Sequence, residues 1–193
     1  VFLGRAVETI APATGSVTLG MLSATGTKDS STFLRGDNTF ASAGGIFESQ
    51  LLHVRDEKSQ NTSGGTAASN GTQTRTLNTV KTNEITGASL SSNQITLPSG
   101  TYYIQALAPA YDTSRSQAYL YNVTDTANEI IGSTSTNTQA STSFCHVIGR
   151  FTISAQKVFS IVQFTFDAHV NGLGEPANNS TEVYTDVQIW KVA

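Results

Sequence analysis

No window of this 193-residue chain keeps apolar residues at i, i+3, i+4 and i+7 for three turns, so amphipathic helices are excluded almost throughout. Alternation with a period of two recurs instead, about every 8–15 residues. It predicts strands at 47–55 (FESQLLHVR), 73–80 (QTRTLNTV), 94–97 (QITL), 101–108 (TYYIQALA), 116–123 (SQAYLYNV), 128–133 (NEIIGS), 143–154 (SFCHVIGRFTIS), 157–167 (KVFSIVQFTFD) and 181–192 (TEVYTDVQIWKV). Short antiparallel strands separated by Gly, Ser, Asn and Thr close into a sandwich or barrel. The chain is predicted to be all-β.

Composition narrows the functional classes. Charged residues make up 13% of the chain, about half the usual share of roughly 25%, and Ser and Thr fill the gap. That balance suits an extracellular or virion β protein better than a cytosolic enzyme. The net charge is −3 and the 11 basic residues are scattered, which excludes the basic stripe a nucleic acid requires. No apolar run approaches the ~20 residues of a membrane-spanning helix, so membrane insertion is not expected. Cys145 is alone, so no intrachain disulfide forms. The acidic residues lack the spacing of a calcium loop, and no cofactor motif is present. The sequence begins at Val1 rather than Met, and the chain is expected to be the end of a longer polypeptide.

Residues 1–45 differ from the rest, with few large side chains, several glycines and only brief alternations such as Val17-Thr18-Leu19. A segment of that length does not sustain a core without help. It is expected to be a shaft ordered by identical neighbours, with "SAGG" at 42–45 as the joint to a head domain at 46–193. Within it, Arg35-Gly36-Asp37 matches the integrin-binding tripeptide. The Gly-Asp-Asn run between Phe33-Leu34 and Phe40 also supplies residues that tolerate φ > 0, so a tight turn anchored by those apolar neighbours is the expectation.

"GTKDSSTFLRGDNTFA" resembles an element found in many bacteriophage tail-fibre proteins just before their terminal domain. From residue 47 onward, "LLHVRDEKSQNTSGGT", "QTRTLNTV", "NEITGASLSSNQITLPSGTYYIQALAPAY" and "EVYTDVQIWKV" resemble the C1q/TNF-like jelly rolls that close such fibres. The resemblance implies a homotrimer of parallel subunits around a threefold axis, located in the virion tail fibre. It also implies other tail proteins as partners through the N-terminus, and attachment to a glycan or protein of the host surface.

The residues point to trimerisation on their own account. In 157–167, Phe159 and Ile161 point one way and Val162, Phe164 and Phe166 the other. Val183, Val187 and Ile189 form one row of the last strand, with Tyr184 and Trp190 opposite. A strand apolar on both faces implies a second cover. Phe164, Phe166, Tyr184 and Trp190 are therefore the expected subunit interface, the alternative being cover by a loop of their own subunit. Connection lengths locate the free tip. Connections at 98–100, 124–127 and 155–156 are tight, and those at 56–72, 109–115, 134–142 and 168–180 are longer. Successive connections of an antiparallel roll alternate between its ends, so the long ones gather opposite the shaft. Binding residues concentrate on such loops, and the candidates are Tyr111, Asp112, Arg115, Asn171, Glu175, Asn178 and Asn179.

Rival readings follow from other residues. A polysaccharide-degrading tailspike would need paired carboxyls about 5–10 Å apart. Glu182 and Asp186 on a strand would stand roughly 13 Å apart, and Asp167 with Glu175 would have to meet across a loop, so no catalytic residue is assigned. Cys145 and His146 point to opposite faces of an apolar strand, which fits a core cysteine. His53, His146 and His169 are the candidates for a cation on a threefold axis, but a histidine triplet alone is an incomplete zinc site, so no metal is assigned. A structural cap that binds no receptor and a secreted C1q/TNF-like ligand remain alternatives, the latter weakened by the lack of a G-X-Y stalk.

Overall fold

The computed structural model describes residues 23–28, 32–42 and 50–192. They fall in two units, within Val1–Phe47 and Glu48–Ala193. The Val17–Leu19 alternation, most of the "SAGG" joint and the start of the strand expected from residue 47 lie outside the described residues.

In the first unit, β1 (Thr32–Leu34) and β2 (Phe40–Ser42) form an antiparallel hairpin with Leu34 opposite Phe40. The RGD triplet is its turn. The Arg35 N–H donates to Thr39 O at 2.8 Å and the Asn38 N–H to Arg35 O at 3.0 Å. Asp37 Oδ1 accepts from the Thr39 hydroxyl at 2.6 Å and its N–H at 3.1 Å, and the hydroxyl bond leads the causes that lower the Asp37 pKa. The left-handed residue is Asn38 (φ 60°), while Gly36 has open space for a side chain. The anchoring expected of the flanking apolar residues is corrected: Phe40 is buried, but Phe33 and Leu34 remain 54% and 47% exposed.

The second unit is a sandwich of eleven strands. They are β3 (Gln50–Lys58), β4 (Gly71–Thr74), β5 (Thr79–Asn83), β6 (Ser89–Ser91), β7 (Gln94–Leu97), β8 (Gly100–Tyr111), β9 (Arg115–Asn122), β10 (Ala127–Thr136), β11 (Thr142–Ile153), β12 (Lys157–Thr165) and β13 (Glu182–Lys191). One sheet runs β11-β8-β13-β3-β5 and the other β10-β9-β12-β7-β6, with β4 also paired to β12. This is jelly-roll order. The inward rows of the two sheets, among them Leu52, Val54 and Ile104 against Leu97, Leu120 and Ile161, form one continuous core. Phe151 stacks on Tyr102 at 5.5 Å and meets Phe159 edge-on at 5.3 Å, tying the two sheets together.

Two departures from simple alternation matter later. The predicted strand 73–80 is two strands in different sheets, with residues 75–78 crossing between them. In β13 the register on β3 shifts between Val183 and Asp186. A bulge there reverses the parity of the preceding residues, so Val183 faces out and Tyr184 turns inward, only 6% exposed. Cys145 is a core residue, 3.2 Å from the Ser116 hydroxyl. Burial pushes its thiol pKa up, the bond from Ser116 opposing.

Candidate functional site

The strand register fixes which connections share an end. Gln50 lies opposite Lys191, and Gly100 opposite Ile153. The tight connections at 98–99, 123–126 and 154–156 therefore lie at the end where β3 begins. Those at 59–70, 112–114, 137–141 and 166–181 gather at the opposite end. The connection expected at 109–115 is shorter than its composition suggests: β8 runs to Tyr111 and β9 starts at Arg115. Asp112 and Ser114 turn the chain within three residues by taking φ of 48° and 59°.

The two longest connections hold each other. Backbone N–H groups of Gly64, Ala67, Asn70 and Leu173 donate to the carbonyls of Gly174, His169, Phe166 and Gly65 at 2.8–3.0 Å. Two irregular segments are thus paired like strands, which satisfies backbone groups that burial would otherwise penalise. Close approach demands small residues here. Gly174 has φ 144°, and a Cβ on it would lie 2.0 Å from the Tyr184 ring. Tyr184 fills the space beneath and donates its hydroxyl to Thr62 O at 2.7 Å. Burial, reinforced by Glu182, Asp56 and Glu175, pushes its pKa up to about 12.

Under these loops lies Arg75, fully buried. Its Nε donates to Thr185 Oγ1 at 2.7 Å, its Nη2 to Leu173 O at 2.7 Å, and its Nη1 to Gln163 Oε1 at 3.1 Å and Pro109 O at 3.4 Å. One guanidinium therefore joins β8, β12, β13 and the 166–181 loop through charge-assisted bonds. Burial lowers its pKa to about 10, partly countered by Asp56, so it stays charged at neutral pH. Asp56 is buried too and pairs with Lys58 at 3.1 Å. Burial raises its carboxyl pKa, with the Lys58 bond acting against it. Glu182 completes the frame by accepting from the N–H groups of Asn61, Ala177 and Asn178 at 3.1, 3.0 and 2.7 Å. Burial raises its pKa, but those three bonds outweigh it and the net shift is downward.

On this frame the candidate residues form separate small groups. The Tyr111 ring meets His169 edge-on at 5.1 Å. His169 Nδ1 accepts from the Asn171 N–H at 3.1 Å, which places a neutral ring's proton on Nε2, 3.9 Å from Asp112 Oδ2. Asn171 also donates to Glu175 at 2.8 Å. Tyr111, Asp112, Asn171 and Glu175 are thus linked through His169, a residue the sequence singled out only as a cation candidate. Tyr111 is half-buried at a strand end. Arg115 stands apart with its guanidinium 3.7 Å above the Phe166 ring. Asn178 and Asn179 are exposed, with Gln60 donating to Asn178 O at 3.0 Å.

The expected interface residues do not share one surface. Tyr184 is covered by its own chain, as the bulge requires. Phe164 and Phe166 lie on or beside β12, whereas Trp190 lies on β13 in the other sheet, 6.0 Å from Tyr103. Of the histidines, His53 bonds Asp186 at 2.8 Å on the five-stranded sheet, His146 is exposed on β11 of the same sheet, and His169 belongs to the loops. Among the described residues no three His, Cys, Asp or Glu side chains are grouped to hold a metal ion.

No protein-family model matches the chain, and no curated protein matches it. Solved structures do. Murine APRIL at pH 5.0 superposes with a TM-score of 0.51 at 9% identity, over 75% of this chain and 99% of that one. The globular domain of zebrafish complement 1qA gives 0.51 at 14% identity, over 76% and 98%. The second unit is a TNF/C1q-like jelly roll. At such identities the likeness concerns the fold alone.

Proposed function

We propose that this chain is the tip of a bacteriophage tail fibre, a homotrimeric head that attaches the virion to a glycan or protein of the bacterial surface. The N-terminal shaft would join it to other tail proteins. The observation that carries this reading is the gathering of four connections at the end opposite Gln50, two of them paired to each other and underpinned by Arg75. A framed, chemically varied loop surface is what a receptor-binding tip needs. The fibre-like "STFLRGDNTFA" element preceding a TNF/C1q-like jelly roll supports the phage assignment.

Trimerisation is supported by apolar surface that one chain leaves uncovered. On the outer face of the five-stranded sheet, Tyr103 is exposed beside half-buried Trp190, and Ile148 and Phe144 are exposed farther along β11. A binding rather than catalytic role fits the carboxylates. Asp186 is held by Arg55 at 2.7 Å and by His53, Glu182 by backbone N–H groups, Asp167 by Ser114, and Glu175 by Asn171.

The test is competition. Purified protein, trimeric by sedimentation equilibrium, is expected to bind intact host cells and block adsorption of its phage. Replacing 112–114 and 166–181 by Gly/Ser linkers should abolish blocking if the trimer still folds. Tyr111→Ala should weaken each site modestly and whole-virion adsorption more, because several tips engage at once. A trimer that blocks equally well without these loops would place the receptor site elsewhere.

A further inference from the structure

We propose that the outer face of the six-stranded sheet is a binding site for a neutral linear glycan, separate from the loop end. A shallow trough of about 510 Å³ lies on this face. Its floor carries Tyr119 and Tyr121, two residues apart on β9 and both half-buried, so their rings share one side about 7 Å apart along the strand. The cross-strand register continues the surface: Tyr121 lies opposite Ser160, Tyr119 opposite Val162, and Val162 in turn opposite Thr74 of β4. Gln94, Asn128, Thr72, Gln73 and Val123 complete the walls, and no Asp, Glu, Lys or Arg lines the trough.

That chemistry selects the ligand. An uncharged lining gives an anionic or cationic partner no counter-charge, and its polar and apolar groups are mixed, with Val123 and Val162 beside the amides and hydroxyls. Tyrosine faces with amide and hydroxyl groups around them match a sugar ring, apolar on its C–H face and hydroxylated at its rim. The platform is also preorganised. Tyr119 donates its hydroxyl to Gln117 Oε1 at 2.7 Å, and Gln117 donates to Gly132 O at 3.1 Å, so the ring is fixed before any ligand arrives. The trough is open and its lining spans β4, β7, β12, β9 and β10, which suits an internal stretch of a chain rather than a terminal residue. The occupant is therefore a neutral polysaccharide laid across this face.

This inference does not require the tail-fibre reading, since it concerns binding of a glycan and not attachment of a virion. The test is titration of the intact protein, followed by amide NMR shifts, with maltoheptaose, isomaltoheptaose and chitohexaose as neutral probes and a hyaluronan hexasaccharide as the charged one. At least one neutral probe is expected to bind with Kd near the millimolar range, shifting residues of β9, β12 and β4. Tyr121→Ala and Tyr119→Ala should each weaken it at least tenfold, while Tyr121→Phe, which keeps the ring, should stay within about threefold. Both alanine variants are checked for an unchanged melting temperature. The proposal is overturned if no neutral probe binds, if the charged probe binds equally well, if both alanine variants bind as the parent does, or if the shifts map to 112–114 and 166–181. Adsorption blocking that persists in Tyr119→Ala/Tyr121→Ala would leave the receptor-binding function intact without this site contributing to it.

Discussion

The two ends of the sandwich are closed by different means. At the end where β3 begins, the connections are held by bonds within a turn or between adjoining turns. Tyr102 donates to Pro98 O at 2.7 Å, the Asp125 N–H bonds Asn122 Oδ1 at 3.0 Å, and Lys157 meets Asp125 from the adjoining turn at 2.6 Å. At the other end the partners are remote in sequence: Arg75 with Leu173, and Asn61 with Glu182. Local turns tolerate change one at a time. The loop end instead depends on a few buried polar groups, so its integrity is set beneath the surface that would meet a partner.

The most damaging way to probe that contrast is Arg75→Ala. It orphans Gln163 Oε1, Thr185 Oγ1 and the Leu173 carbonyl at once, while Pro109 O keeps its bond from Gln163, and should cost about 3–5 kcal/mol. Calorimetry should show a melting temperature lower by on the order of 10 °C, and hydrogen exchange should rise first in 166–181. Gly174→Ala comes next, at about 2 kcal/mol, because a left-handed φ and the Tyr184 ring both oppose a Cβ. Chemical denaturation would measure it, and a neutral outcome would mean the loop pair is plastic rather than framed. Tyr102→Phe removes one hydrogen bond at the local end, for about 1 kcal/mol, and is expected to leave exchange in 59–70 and 166–181 unchanged. Faster exchange there would break the contrast.

The subtlest probe is pH. Glu182 has a folded pKa below its ordinary value of 4.5. Its carboxylate therefore contributes stability above about pH 4.5, and the contribution fades as the pH falls through the folded value. Glu182→Gln should accordingly be less stable than the parent at pH 7, with the gap narrowing below pH 4. Comparing the two proteins cancels Asp56, whose raised pKa acts in the opposite sense. A gap independent of pH would show that the glutamine amide's shape, and not the lost charge, is responsible.

Much of this fold was legible because alternation reports which side of a strand is wet. Leu52/Val54, Ile104/Ala106 and Val187/Ile189 point inward as the pattern requires. Connection length likewise sorted the ends, since parity in an antiparallel roll is topological. What alternation cannot register is a bulge, and the one near Tyr184 moved an expected interface residue into its own subunit. Arg75 was hidden for another reason. An arginine in a strand looks outward-facing until the residues that solvate it, Gln163, Leu173 and Thr185, are brought near by the fold. His169 joined the Tyr111–Asp112–Asn171 group at the loop end through loop pairing that carries no periodic signal. Phe164 and Trp190 looked alike in sequence but belong to different sheets, because sheet membership is set by pairing and not by composition.

The adjacency of β3 and β13, first and last strands of the head, has a bearing on biosynthesis. β13 lies between β3 and β8, so a nascent chain still lacking it has a gap in the middle of a sheet and lacks the Thr185 partner of Arg75. Contacts of such sequence separation form late and slowly. The head therefore cannot mature in stages as the ribosome advances. It closes in one event after β13 emerges, and any translation product that stops short of Glu182 exposes unpaired strand edges open to proteases and chaperones.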